Sequence, residues 1–102
     1  MAIQSHDIKR LMIRGVVQKI GYRAWTERQA LKLGLYGWVR NRLDGSVEVV
    51  VAGPRPRVAQ LIEHCRSGPP LARVDSIAIE EASETDLRQR RDGETFSLLP
   101  TV

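Results

Sequence analysis

Two short segments combine residue types that could do chemistry. The first is Gly15-Val16-Val17-Gln18-Lys19-Ile20-Gly21-Tyr22-Arg23, where two glycines bracket a turn that runs into a helical pattern. The first amides of a helix lack internal partners and carry the positive end of the helix dipole. A glycine-bearing loop entering that end can aim several N–H groups at one anion. Arg23 falls in the first turn, where a cation is unfavourable unless an anion shares the site. Its planar guanidinium can hold two phosphate oxygens at once. The same residues also fit a plain turn between strand and helix with a surface arginine. The second segment is Trp38-Val39-Arg40-Asn41. An asparagine at a strand end serves as a turn residue, or its amide, donor and acceptor together, orients a water.

The elements that must position these groups are legible from periodicity. Ile8 to Arg14 reads as a strand with Leu11 and Ile13 on one face, and Gly15 starts the loop. Tyr22 to Leu33 reads as a helix, with Tyr22, Thr26, Ala30 and Leu33 on one face and Gly34 as its stop. Leu35 to Arg42 is a second strand, Asp44-Gly45 a hairpin turn and Ser46 to Ala52 a third strand. Val47, Val49 and Val51 share the inner face of that strand, and Glu48 marks the outer one. Val58, Leu61, Ile62 and Cys65 form the apolar stripe of a second helix, ended by Gly68-Pro69-Pro70. Val74 to Glu80 is a fourth strand with Ile77 and Ile79 inward. Residues 81–93 are polar and read as an exposed loop, with Arg88, Arg90 and Arg91 solvated among acidic neighbours. Thr95 to Leu99 is a short fifth strand at an edge, limited by Pro100.

The order is β-α-β-β-α-β plus a short β. An antiparallel-dominated sheet with both helices on one face buries each apolar stripe: an α+β, ferredoxin-like sandwich. The 102 residues suit a single domain, 1–102, with one core.

Composition narrows the chemistry. Cys65 is the one cysteine, and His6 and His64 are the only histidines. Neither an internal disulfide, nor a thiolate zinc cluster, nor a histidine-rich metal site can form from this set. Cys65 reads as a packed thiol and His64 as a surface residue. Trp25 and Trp38 read as cover for the core margin. The strongest apolar run, Val49 to Ala52, has strand length, so no membrane partner is expected. The start of the chain lacks the apolar core of a signal peptide, and a cytoplasmic setting is expected.

The net charge of +4 is unevenly placed: residues 1–57 hold eleven basic against four acidic residues, and residues 58–102 hold five against eight. The basic half surrounds the Gly15–Arg23 loop, which suits a small anion better than a long polyanion. Recognition domains of this topology that bind RNA need aromatics on the central strands, and Ile8–Arg14 and Ser46–Ala52 contain none. No nucleic-acid partner is expected. A monomer is expected as well, since no long apolar stripe is left over.

Taken together, Gly15-Val16-Val17-Gln18-Lys19-Ile20-Gly21-Tyr22-Arg23, Leu33-Gly34-Leu35-Tyr36-Gly37-Trp38-Val39-Arg40-Asn41 and Asp44-Gly45-Ser46-Val47-Glu48 resemble the acylphosphatase family. The resemblance is dense from Ile8 to Gly53 and looser through Gly68-Pro69-Pro70, Ala72, Val74 and Phe96. It implies hydrolysis of a small acyl phosphate to carboxylate and inorganic phosphate, by water attack at phosphorus and without metal or other cofactor. It also implies that the backbone amides of Gln18, Lys19, Ile20, Gly21, Tyr22 and Arg23, with the Arg23 side chain, hold the phosphoryl group. Gly15 and Gly21 would shape the loop, and Asn41 would hold the attacking water. A non-catalytic relative that only binds an anion or a partner is the competing expectation. Lys19 departs from the family pattern, which has glycine there. If that position needs φ > 0, lysine costs about 1 kcal/mol or more.

Overall fold

The computed structural model describes residues 6–102. The first strand, β1 (His6–Val16), leads through the glycine loop into α1 (Tyr22–Lys32). Then come β2 (Tyr36–Asn41), β3 (Val47–Pro54), α2 (Arg55–Ser67) and β4 (Arg73–Glu81). A one-turn helix, α3 (Glu84–Leu87), and β5 (Phe96–Leu98) complete the order. The five strands form one sheet in the order β4-β1-β3-β2-β5. All neighbours are antiparallel except β2 and β5, which run parallel, with β5 at the edge. The fold is the expected ferredoxin-like α+β arrangement.

One face of the sheet buries Leu11, Ile13, Val39, Val47, Val49 and Val51 against the two long helices. From α1 come Tyr22 and Ala30, and from α2 Val58, Leu61 and Cys65. The hydroxyl of Tyr22 donates to the Cys65 carbonyl at 2.6 Å and so ties the helices together. Burial pushes the Cys65 thiol up to about 12, which leaves it an inert packed group.

The opposite face departs from expectation. Residues 81–93 do not form a plain exposed loop. Ser83 caps α3, accepting from the Asp86 amide while the Asp86 carboxylate accepts from the Ser83 amide. This capping box sets Leu87, 2 % exposed, into a second cluster with Trp38, Val50, Ala52 and Leu99. Trp38 therefore lies wholly inside rather than at the margin, and its indole N–H donates to the Asp86 carbonyl at 2.8 Å. Arg90 and Arg91 are likewise engaged. Arg90 lies 5.0 Å over the Tyr36 ring, and Arg91 donates to the Leu98 carbonyl at 2.7 Å, holding the edge strand. Ile79 is corrected too: β4 has a neighbour on one side only, and Ile79 is 43 % exposed.

Replacing Leu87 by alanine is expected to lower stability by about 2–4 kcal/mol, because a buried side chain that anchors a one-turn helix leaves a cavity. Urea unfolding measures this directly. A loss below about 0.5 kcal/mol, typical of a surface site, would mean that α3 does not close this face.

Glu48 also lies on this face, and it is buried rather than solvent-facing. Its carboxylate accepts from Arg10 at 2.9 Å, Arg40 at 2.8 Å and Arg42 at 2.9 Å. Arg10 also donates to Asp86 at 2.8 Å, which couples the cluster to α3. Burial by itself raises the Glu48 carboxyl, but the hydrogen bonds from Arg40 and Arg42 outweigh it and hold the group below its ordinary value of 4.5. A depressed folded value stabilises the fold above the unfolded value, and that contribution disappears as pH falls through the folded one. The urea midpoint is therefore expected to drop as pH is lowered below about 4.5, and the Glu48→Gln variant should lose this part of the slope. At neutral pH that variant should be less stable by about 3 kcal/mol. An unchanged acid slope in the variant would place the sensitivity elsewhere.

Candidate functional site

The loop after β1 takes its course from two residues with left-handed backbone and one bulge. Gly15 does not leave the strand, as the sequence suggested. The ladder to β4 shifts register between Arg14 and Gly15 and then continues to Val16 opposite Arg73. Only glycine fits there, since at φ 133 a Cβ would lie 2.1 Å from the Arg73 carbonyl oxygen. Lys19 adopts φ 65 and Gly21 φ 80, and Gly21 is the N-cap of α1. No side chain caps this helix and no acidic residue occupies its first turn. The first helical bond is donated by the Trp25 amide to the Gly21 carbonyl at 3.0 Å. The amides of Tyr22, Arg23 and Ala24 are thus left without intrahelical partners, at the positive end of the helix dipole.

The hairpin between β2 and β3 faces this loop. It is stiffened by Asp44, whose carboxylate accepts from the Ser46 amide at 3.0 Å and the Ser46 hydroxyl at 2.6 Å. Those bonds, with Arg14 nearby, pull the Asp44 carboxyl down to about 2. The Gln18 side-chain amide donates to the carbonyls of Arg42 and Ser46, both at 2.8 Å. One side chain of the loop therefore closes on the two residues that flank the hairpin turn. On the outer side, the Val102 amide donates to the Asn41 carbonyl at 3.2 Å and fixes the backbone at the end of β2.

Between loop and hairpin lies a pocket of about 140 Å³. Val17, Lys19, Gly21, Tyr22, Arg23 and Ala24 line it from the loop and helix, and Asn41 and Leu98 from the strands. Residues nearly twenty positions apart in sequence, Arg23 and Asn41, thus share one cavity. Among the expected loop residues, Gln18 and Ile20 do not line it: Gln18 is the strut to the hairpin, and Ile20 packs against the core. Gly15 acts from a distance through the bulge.

Arg23 makes no hydrogen bond or ion pair among the described residues, and the pocket lining contains Lys19 and Arg23 but no acidic side chain. An unopposed guanidinium beside free helix-terminal amides is suited to a small multivalent anion. Asn41, in the same lining, has a side-chain amide able both to donate to and to accept from a water. Leu98 went unnoticed in the sequence, because its place in the wall follows from the parallel pairing of β5 with β2, which no local pattern announces.

A larger hollow, about 250 Å³, runs along α3 and the segment after it, lined by Arg88, Arg90 and Arg91 together with Glu84, Asp92 and Glu94. Its charges oppose one another, and two of its arginines are held by backbone carbonyls. Among the described residues, no three His, Cys, Asp or Glu side chains group as metal ligands, and no helix is long and apolar enough to cross a membrane.

Comparison with known proteins bears on the same residues. A family model described as acylphosphatase matches residues 9–95. An acylphosphatase from Bradyrhizobium diazoefficiens is 56% identical over 98 residues, covering 96% of this chain and 99% of its own length. The crystal structure of acylphosphatase from Bacillus subtilis superposes with a TM-score of 0.78 at 30% identity, covering 93% of this chain and 99% of that one. The structure of an acylphosphatase from Coxiella burnetii gives 0.80 at 29% identity, over 97% of this chain and 100% of that one.

Proposed function

The chain belongs to the acylphosphatase family, and from that premise we propose how its own residues hydrolyse an acyl phosphate. The protein is a hydrolase of small acyl phosphates. The Arg23 guanidinium and the amides of Lys19, Gly21, Tyr22 and Arg23 hold the phosphoryl oxygens, and Asn41 holds a water for attack on phosphorus. The water oxygen bonds to phosphorus as the bond from phosphorus to the acyl oxygen breaks. The bonding pair departs with the carboxylate. An asparagine amide is no base near neutral pH, so the water proton passes to a phosphoryl oxygen of the substrate. Because a carboxylate is already a good leaving group, positioning and charge stabilisation suffice. Neither a metal nor another cofactor is called for.

The observation that carries this reading is the shared pocket of Arg23 and Asn41 at the uncapped start of α1. The elements that line the pocket belong to one five-stranded sheet and its helices, which fits a single domain, and action as a monomer is part of the same proposal. A reducing, cytoplasmic setting suits the lone buried thiol.

Hydrolysis of benzoyl phosphate in ¹⁸O-labelled water, with chelator present, tests the chemistry. Label is expected in inorganic phosphate. Label in benzoate would move the attack to the carbonyl carbon, and loss of turnover with chelator would overturn the metal-free route.

A further inference from the structure

Lys19 is the only described residue other than glycine with a left-handed backbone. That conformation costs a side-chain-bearing residue about 1–2 kcal/mol, which glycine would not incur. Nothing in the fold offsets the cost: Lys19 is exposed and forms no hydrogen bond or ion pair among the described residues. It does line the catalytic pocket beside Arg23. Backbone strain at a residue whose side chain makes no polar contact of its own among the described residues points to a role for that side chain at the site it lines.

The amide of residue 19 would belong to the loop with any side chain present, so what lysine adds is the ammonium. Arg23 and the free amides already serve the phosphoryl group. A compact charge on a flexible four-carbon stem reaches further than the loop backbone does. The pocket lining holds no carboxylate to neutralise it, and Asp44 on the facing hairpin is taken up by Ser46 and Arg14.

We infer that Lys19 reads the acyl end of the substrate, and that the enzyme favours acyl phosphates whose acyl group carries a second negative charge, a carboxylate or a phosphate. This rests on the acylphosphatase reading of the pocket. An exposed ion pair of this kind is worth little, so the preference is modest and screened by salt.

The test compares succinyl phosphate, which carries a free carboxylate, with benzoyl phosphate, which carries none. Wild type, Lys19→Gly, Lys19→Gln and Lys19→Arg are assayed at low and high salt. Glycine removes the ammonium and the strain together; glutamine removes the ammonium alone. Both are expected to lose about three- to fivefold more in kcat/KM on succinyl phosphate than on benzoyl phosphate, the difference falling mainly in KM. Arginine should retain the preference, and high salt should erase it in the wild type. An equal fall on both substrates would assign Lys19 to the phosphoryl group alone, and no change on either would leave it a solvated side chain; either result overturns the inference. Failure of the underlying reading is distinct, since the wild type would then hydrolyse neither substrate.

Discussion

Arg23→Ala lowers kcat/KM for benzoyl phosphate by about three orders of magnitude, the expected consequence of leaving phosphoryl oxygens in the pocket without their charged partner. The guanidinium lies beside free amides of the α1 terminus and meets no carboxylate in the pocket. Nothing else among the lining residues can replace its two-pronged geometry. Lys19 supplies charge but not a planar fork, so Arg23→Lys should recover only a small part of the loss. Stability should hold or rise slightly, because an unpaired cation is removed from the first turn of a helix. Phosphate release and thermal unfolding, measured on the same preparations, separate these effects. Activity within tenfold of wild type in the folded alanine variant would take Arg23 out of the phosphoryl cradle.

Asn41→Ala produces the second large loss, of a different kind. Asn41 lines the same pocket as Arg23 but carries no charge for the phosphoryl group, and in the proposed mechanism it serves the water. kcat is expected to fall by about 100- to 1,000-fold while KM stays near the wild-type value, because an interaction used only in the attacking step is lost. Asn41→Asp should fare no better, since a carboxylate in that lining repels the phosphoryl dianion and would raise KM as well. Inorganic phosphate, a product, should still inhibit Asn41→Ala as it inhibits the wild type. A rise in KM with unchanged kcat would instead make Asn41 a binding residue.

Much of this architecture was legible in the chain. The alternation of Val47, Val49 and Val51 and the stripe from Val58 to Cys65 each belong to one regular element and one buried face. Arg23 and Asn41 stood out because charge and amide occur beside turn residues, and the family resemblance joined them. What escaped was decided by contacts distant in sequence. The single apolar residue of α3, Leu87, has no period to betray it, although Ser83 and Asp86 stand at the spacing of a capping box. Glu48 looked solvent-facing because alternation cannot tell a face covered by arginines and a helix from one covered by water. Gln18 gave no hint that its side chain, rather than its amide, would join loop to hairpin. The extension of β1 past Gly15 hung on a close approach to β4 that only glycine allows.

The burial of β3 on both faces has a consequence for association between chains. Val47 to Ala52 has high β-propensity, a single charge and no proline, which is the composition of segments that stack into cross-β assemblies when exposed. In the native sheet this strand is central, paired on both sides and covered by the long helices above and α3 below. Glu48 acts there as a gatekeeper: in the unfolded chain its charge interrupts the apolar run, and in the folded one its arginines neutralise it. Detaching α3 would uncover Trp38, Val50 and Ala52 on the face away from the long helices. The one-turn helix thus guards solubility, keeping one chain's apolar strand out of reach of the next.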